Sequence, residues 1–170
     1  MSTPSPLAPE RFPDLPPIAG VRLASAACGI RYEGRTDLMV AVLDSGTTVA
    51  GVLTRSITHG APVAWCRSAL KHGKARALVV NSGNSNTFTG KAGRDVVTAT
   101  ARAAAKLLKC SPQEVYISST GVIGEPPPAE KILGGLPGAF AAVSAEGWSD
   151  AARAILTTPK LRPARSGSRS

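Results

Sequence analysis

Residues 115–124, V-Y-I-S-S-T-G-V-I-G, contain the residue types in this chain that are best suited to binding a negative charge. Residues 115–119 have strand character, and we expect the strand to end at Thr120-Gly121, with free backbone N–H groups at its carboxyl end. Because glycine accepts positive φ, successive N–H groups can converge on one anion or oxyanion. An ordinary strand followed by a glycine turn is the simpler interpretation of S-T-G taken alone.

A second polar segment, N-S-G-N-S-N-T-F-T-G at residues 81–90, follows the clearest central strand of the sequence, residues 75–81. Its Asn and hydroxyl side chains can bond their own backbone and can also present polar groups to a ligand. An Asx-rich turn without function needs only a few such residues, so the length of this segment indicates a functional loop. The candidates for shaping a site are Asn81, Gly83, Asn84 and Asn86.

Other site chemistries find little support in the sequence. Cys28, Cys66 and Cys110 are far apart and have no C-x-x-C spacing, which is typical of reduced thiols. His59 and His72 are the only histidines, and neither lies near a carboxylate cluster. We therefore expect no metal site and no Ser-His-Asp triad. No glycine-rich nucleotide motif is present either.

The formal net charge of +9 raises the question of nucleic-acid binding. Much of the excess lies at the C-terminus, because residues 160–170 contain four basic residues and no acidic one. The remaining basic residues do not interleave with aromatic residues in a pattern that would stack on bases. Nucleic-acid binding is therefore disfavoured, although a basic nucleic-acid-binding protein is kept as one alternative function.

The composition predicts one domain, since 170 residues with 43% apolar content can form a single core. We expect a flexible Pro/Ser-rich leader at residues 1–19, a folded domain at 20–158 and a disordered basic tail at 159–170. The first seventeen residues have no apolar core of a secretory signal, and no uncharged apolar run is long enough to span a membrane. These features predict a cytoplasmic protein.

The order of predicted elements is that of an α+β or mixed α/β domain. We expect strands at residues 21–30, 37–43, 48–54, 75–81 and 115–119, with 37–43 and 48–54 paired as an antiparallel hairpin. We expect helices at residues 63–72, closed by Gly73, at 93–109, at 128–133, broken by Gly134-Gly135, and at 149–156. A single capped turn is expected at residues 111–114.

Four motifs together resemble those of one family. They are A-P-V at residues 61–63, N-S-G-N-S-N-T-F-T-G at 81–90, S-S-T-G-V-I-G-E-P at 118–126 and A-A-R-A-I-L-T-T at 151–158. In this order and spacing they resemble the N-terminal part of the bifunctional ornithine acetyltransferase / glutamate N-acetyltransferase of arginine biosynthesis, the ArgJ family. The resemblance covers roughly residues 20–158 and implies an α+β sandwich of the ArgJ/DmpA type, of which this chain forms the N-terminal half.

The resemblance implies an acetyl transfer from N-acetylornithine to glutamate, which releases ornithine, with acetyl-CoA as a further acetyl donor and no bound cofactor. A precursor cleaves itself so that a threonine becomes the N-terminus of a second, β chain. Its hydroxyl is the nucleophile, and its α-amine, with a pKa of about 8, accepts the proton. The resemblance assigns the oxyanion hole to Thr120 and Gly121 and a substrate contact to Thr157. The implied assembly is a heterotetramer of two α and two β chains.

The chain departs from the family pattern after residue 158. An Asp usually follows the T-T pair, whereas here Thr158 leads directly to Pro159-Lys160. The family's later K-G and M-A-T-M-L segments are absent, and with them the nucleophilic threonine. Earlier in the chain, Ser56, Ser85 and Thr87 replace the usual Asn and two Ala.

We therefore expect half of an active site, inactive without a second half. A truncated or frame-shifted gene is the preferred explanation, and a separately encoded α chain is the alternative. A related self-processing amidohydrolase or aminopeptidase, with the same S-T-G geometry but no acetyl acceptor, is the other alternative function.

Overall fold

The sheet at the centre of the computed structural model, which describes residues 15–156, has four strands in the order β1-β2-β3-β4. Strands β1 and β2 pair antiparallel, as do β2 and β3, whereas β3 and β4 pair parallel. The helix at Gly90–Leu108 makes the connection that a parallel pair requires. The strands are β1 Val21–Ala26, β2 Leu38–Leu43, β3 Ala77–Asn84 and β4 Val115–Val122.

Four α-helices and two 3-10 turns accompany the sheet. The helices are α1 Ala61–Ala69, α2 Gly90–Leu108, α3 Ala129–Ala141 and α4 Trp148–Ala154, and the turns are Leu70–His72 and Pro112–Glu114. Between residues 15 and 156, none of the helices is long and apolar enough to cross a membrane. The mixed α/β class predicted from the sequence is confirmed.

Each face of the sheet packs against different helices because strand side chains alternate between the two faces. On one face, Val40, Val79 and Ile117 pack against Val97 of α2 and Leu136 of α3. On the opposite face, residues of β1, β2 and β3 pack against α4 and form a smaller cluster. A third cluster on that face surrounds Tyr116, Cys66 and Ala69. We call this second face the α4 face.

Helix α1 lies along the outer edge of β4. The Trp65 Nε1–H group donates to the carbonyl oxygen of Val115 at 2.8 Å, and the Cys66 thiol donates to the carbonyl oxygen of Ile117 at 3.2 Å. At the other edge of the sheet, Leu23 of β1 exchanges two backbone hydrogen bonds with Ser144. Both edge strands therefore have partners outside the sheet.

Several local predictions are confirmed. Helix α1 and its 3-10 extension end at Gly73, which has a φ of +61°. The capping box at Ser111 and Glu114 starts the turn before β4. Helices α2 and α4 lie within two or three residues of their predicted bounds. These features depend on residues close together in the chain, so they can be predicted from the sequence alone.

The predicted hairpin of residues 37–43 with 48–54 is wrong. Strand β2 pairs with β1 on one side and β3 on the other, so neither of its edges is left for residues 48–54. Those residues lie outside the sheet, apart from one isolated bridge between Thr48 and Lys74.

The first strand is shorter than predicted, since it ends at Ala26 and not at residue 30. The buried carboxylate of Asp37 accepts hydrogen bonds from the backbone N–H groups of Cys28 at 2.7 Å and Ile30 at 2.6 Å. These bonds turn the chain away from the sheet, and Gly29 between them has a φ of +64°. The carboxylate of Asp37, nine residues after Cys28 in the sequence, thus ends the strand.

The predicted break in the third helix is also wrong, because α3 runs through Gly134, Gly135 and Pro137. Ile132, Leu136 and Ala139 are buried along one side of this helix, and their burial offsets the poor helix propensity of glycine and proline. At Gly135 a Cβ atom would lie 2.2 Å from the Cys28 Sγ. The glycine therefore allows close packing.

The sequence predicted a leader, a folded domain and a tail. Residues 1–14 of the leader and the whole tail at 159–170 lie outside the described residues.

Candidate functional site

Strand β4 continues through the S-S-T-G motif to Val122, so the predicted strand end at Thr120-Gly121 is wrong. In the parallel pair, Gly121 lies opposite Gly83. Their φ angles are +136° and +97°, values that L side chains rarely adopt. A Cβ atom at Gly121 would lie 2.4 Å from the Gly83 carbonyl carbon. A glycine is needed at 121 because the two backbones approach so closely here.

The backbone N–H group of Gly121 points away from β3. Successive residues of a strand direct their backbone groups to opposite sides. The carbonyl groups of Val115 and Ile117 point outward, to Trp65 and Cys66, so the backbone groups of Gly121 point outward as well. Gly121 is exposed. Strand alternation thus directs the N–H group of this exposed residue to the outer edge of β4.

The hydroxyl of Thr120 lies on the α4 face of the sheet, beside Ser82. Thr120 is partly exposed, and its register partner on β3 is Ser82. Ser82 is 1% exposed, and its Oγ atom has no hydrogen-bond partner among the described residues. Thr120 and Gly121, the two residues that the resemblance assigns to an oxyanion hole, are thus a partly exposed and an exposed position near the end of β4.

The asparagine side chains of the 81–90 segment bond to the protein itself. The segment begins as strand, since β3 runs to Asn84. Asn81 is buried, accepts a hydrogen bond from Ser119 Oγ at 2.6 Å and donates to the Asn84 carbonyl oxygen at 2.9 Å. The Asn84 amide donates to the Glu125 carbonyl oxygen at 2.9 Å. These bonds hold the β3 bulge against the segment that follows Gly121.

Asn86 anchors the start of α2. It is 2% exposed and has a φ of +51°. Its Nδ2 donates to the Gly93 carbonyl oxygen at 3.0 Å, and its Oδ1 accepts from the Thr89 hydroxyl at 2.6 Å. Its own backbone N–H donates to Asn84 Oδ1 at 2.8 Å. The geometry of the asparagine segment is therefore that of a scaffold behind Gly83 and Gly121.

Sequence reasoning missed the contribution of the 31–35 segment, R-Y-E-G-R. Arg31 forms an ion pair with Glu125 at 2.6 Å, and Arg35 donates to the Leu156 carbonyl oxygen. Both guanidinium groups lie over the Tyr32 ring, at 5.8 and 5.9 Å from its centre. The segment thus contacts both the residues after Gly121 and the residue before Thr157. Thr157 itself lies outside the described residues.

The cysteines are thiols that stay protonated near neutral pH. Burial, and to a lesser extent the nearby Asp37 carboxylate, raise the pKa of Cys28 to about 11. Burial also raises the pKa of the Cys66 and Cys110 thiols. Because the thiolate is the nucleophilic form, none of the three has the environment of a catalytic cysteine. Within residues 15–156, no group of three or more potential ligand side chains could hold a metal ion.

Comparison with known protein families gives a match between residues 22–166 and the ArgJ family. This chain belongs to the ArgJ family. The family resemblance predicted from the four motifs is thereby confirmed. The match extends past Lys160, into the segment predicted as a basic tail.

Curated ArgJ relatives are closely similar to this chain but much longer. The arginine biosynthesis bifunctional protein ArgJ of Nitrobacter winogradskyi is 58% identical over 168 residues, which cover 95% of this chain and 40% of the relative. The protein of the same name from Bradyrhizobium diazoefficiens is 56% identical, with coverage of 96% and 40%. The chain therefore spans about 40% of the length of these relatives.

Two solved ArgJ-type structures share the fold. An ornithine acetyltransferase from Mycobacterium tuberculosis, crystallised with ornithine, matches with a TM-score of 0.81 and 37% identity, over 85% of this chain and 79% of that one. The bifunctional protein ArgJ of Bacillus halodurans matches with a TM-score of 0.76 and 30% identity, over 84% and 75%. The matched chains in both crystals are thus similar in length to this ArgJ chain.

Proposed function

We propose that this chain supplies the oxyanion-stabilising half of an acetyltransferase site of arginine biosynthesis, and that a second ArgJ chain supplies the nucleophilic threonine. The observation that carries the proposal is the outward, exposed N–H group of Gly121 beside the partly exposed hydroxyl of Thr120. Membership of the ArgJ family supports the choice of reaction. The ornithine bound to the Mycobacterium tuberculosis acetyltransferase supports the choice of substrate.

The proposed reaction has two acyl-transfer steps. The threonine hydroxyl of the second chain attacks the acetyl carbonyl carbon of N-acetylornithine, and the α-amine of that threonine takes the hydroxyl proton. The carbonyl oxygen becomes an oxyanion, to which Thr120 and Gly121 donate hydrogen bonds. The C–N bond breaks, and the proton passes to the departing ornithine amine. The amine of glutamate then attacks the acetyl-threonine ester and restores the hydroxyl. Acetyl-CoA is a further candidate donor for the first step.

The rest of the proposed site has supporting roles. The side chains of Asn81 and Asn84 hold the β3 bulge, the Asn86 side chain anchors the start of α2, and Gly83 has a positive φ opposite Gly121, so these four residues position Gly121. Thr157 contacts the substrate, an assignment supported by membership of the ArgJ family. We further infer an assembly of two α and two β chains and a cytoplasmic location. The three free cysteines are consistent with a reducing compartment.

The proposal is tested by reconstitution. The purified chain is mixed with the remaining portion of the Nitrobacter winogradskyi relative, beginning at its own nucleophilic threonine, and acetyl transfer from N-acetylornithine to glutamate is measured. We expect little turnover from this chain alone and measurable transfer from the mixture, because the residues of such a site act as a unit. Vigorous transfer by the chain alone would contradict the placement of the nucleophile on a second chain.

A pair of variants tests the two donors. Thr120→Val removes the hydroxyl but keeps the shape, and we expect kcat in the reconstituted mixture to fall by roughly 100-fold or more. Ser118→Ala, an exposed serine on the same face of β4, is the matched control and should leave kcat within about twofold. Hydrolysis of N-acetylornithine that does not depend on glutamate would instead favour the amidohydrolase alternative.

A further inference from the structure

Residues 48–54, T-V-A-G-V-L-T, form a segment that lies outside the sheet. We call them the 48–54 segment. Its start is fixed by the Thr48–Lys74 bridge and by the Val49 N–H group, which donates to the Gly73 carbonyl oxygen at 3.0 Å. Within the described part of the chain, the backbone groups of residues 50–53 make no hydrogen bond. In the described structure, the backbone groups of residues 50–53 therefore have no protein partner.

The side chains of this segment alternate as in a half-buried strand. Val49 and Leu53 pack inward, against the cluster that contains Tyr116. Between them, Gly51 is exposed, but a Cβ atom there would point inward, to 3.9 Å from Leu70. Ala50, Val52 and Thr54 are exposed, and Val52 is 99% exposed. A period of two with one packed face defines strand geometry.

The outward side of the segment has the properties of a pairing surface. An extended chain with free N–H and C=O groups is a template for another strand. Val52 and the nearby Ile57, which is 95% exposed, are apolar, and residues 47–60 contain no acidic side chain. The β-branched composition also favours a strand. A strand with apolar side chains on one face fits this surface.

The position of the 48–54 segment identifies the partner that pairs with it. Tyr116, beneath it, lies on the same face of β4 as Ser118 and Thr120. The surface formed by the segment is thus continuous with the face that carries the Thr120 hydroxyl. About 60% of the length of the curated relatives lies outside the match to this chain. A second chain that completes the site has to approach over this face.

We propose that the 48–54 segment is a docking strand, which pairs with a β-strand of the second ArgJ chain and begins a second sheet there. This inference rests on the proposed two-chain function. The pairing places the second chain over the α4 face of β4, next to Thr120 and the outward N–H group of Gly121. Docking and catalysis thus use neighbouring parts of one surface.

Hydrogen exchange tests the pairing directly. The amides of residues 50–53 should exchange fast in the isolated chain and at least about tenfold more slowly after addition of the second portion of the Nitrobacter winogradskyi relative. Association with unchanged exchange at residues 50–53 would overturn the docking strand while leaving the two-chain function intact. Absence of any association would overturn both. Slow exchange at residues 50–53 of the isolated monomer would show that another segment of this chain covers the surface. Slow exchange that depends on protein concentration would show pairing between copies of this chain. Either result overturns the proposal.

Variants provide a second measurement. Val52→Lys should weaken association with the second portion by at least about tenfold, and Val52→Lys combined with Ile57→Lys by more, because both side chains lie outside the core of this chain. The matched control is Leu107→Lys, an apolar residue on α2 that is 44% exposed, and it should not change association. The melting temperatures of all three variants should stay near that of the parent. Equal weakening by the control would overturn the assignment of the surface.

Discussion

The hydroxyl of Ser119 donates to Oδ1 of Asn81 at 2.6 Å, across the parallel pair of β4 and β3. The bond lies one residue before the Ser82–Thr120 pair and two residues before the point where Gly121 meets Gly83. It therefore ties the two strands together directly beneath the proposed oxyanion donors. The asparagine segment and the S-S-T-G motif, which look like separate features in the sequence, form one hydrogen-bonded unit.

Removal of the hydrogen bond between Ser119 and Asn81 should lower the free energy of unfolding. Ser119→Ala leaves the buried Oδ1 of Asn81 without its donor, and we expect a loss of about 1–3 kcal/mol in the free energy of unfolding. Urea denaturation measures the change. Ser118→Ala, one residue earlier and exposed, serves as the control and should change stability by less than about 0.5 kcal/mol. Equal effects of the two variants would show that the bond does not tie the strands together.

The close approach of β3 and β4 predicts a difference between two glycines. Gly121→Ala should cost at least about 3 kcal/mol, because the new Cβ atom meets the backbone of Gly83 and Asn84 and φ is positive. Gly124→Ala has a positive φ of +85° but open space around the Cβ position, so it should cost only about 1–2 kcal/mol. Chemical denaturation of both variants checks this. A Gly121→Ala chain as stable as Gly124→Ala would show that the strands can separate at little cost.

The sequence predicted those parts of the structure that local signals determine. Periodicity predicts α2, a left-handed Gly73 ends the 3-10 extension of α1, and apolar runs mark β2 and β3. The family motifs also point to Thr120 and Gly121 as the proposed oxyanion donors. What the sequence could not predict depends on contacts between distant residues. The hairpin prediction failed because strand propensity says nothing about which strand is the partner.

Two further errors have the same physical origin. Strand β4 continues through Gly121 alongside the backbone of Gly83 and Asn84, and no local pattern links these positions. Helix α3 continues through Gly135 because Cys28 packs there. The bond from Arg35 to Leu156 likewise joins residues 121 positions apart. At each of these points, tertiary contacts determine the structure and override local propensity.

Helix α3 offers a test of this explanation. Gly134 has open space at its Cβ position, so Gly134→Ala should stabilise the chain by about 0.5–1 kcal/mol through helix propensity. Gly135→Ala places a Cβ atom 2.2 Å from Cys28 Sγ and should destabilise by about 1–3 kcal/mol. Thermal and urea denaturation compare the two. Cys28→Ala should restore part of the loss caused by Gly135→Ala, and purely additive effects would rule out the proposed clash.

The Cys28 thiol predicts a pH dependence of stability. Its pKa is raised from 9.0 to about 11, chiefly by burial, so the folded state favours the neutral thiol. The corresponding stabilisation is complete below about pH 9 and is lost as the pH rises towards 11. Urea midpoints at about pH 8 and about pH 10.5, in reducing buffer, measure the loss. Cys28→Ala should show a smaller decrease than the parent chain. An equal decrease in both would assign the pH dependence to other groups.

The side-chain donors along the β4 edge have a consequence for the behaviour of the chain at high concentration. Trp65 and Cys66 donate hydrogen bonds to the outward carbonyl groups of Val115 and Ile117 on β4. At the opposite edge, Ser144 forms two backbone hydrogen bonds with Leu23. An incoming molecule therefore finds these stretches of both sheet edges already satisfied, and runaway edge-to-edge aggregation is suppressed there. The protection stops just before the proposed oxyanion donors. Association of copies through these protected stretches of the sheet edges is thus disfavoured, whereas the edge beside the proposed oxyanion donors stays open to the proposed second chain.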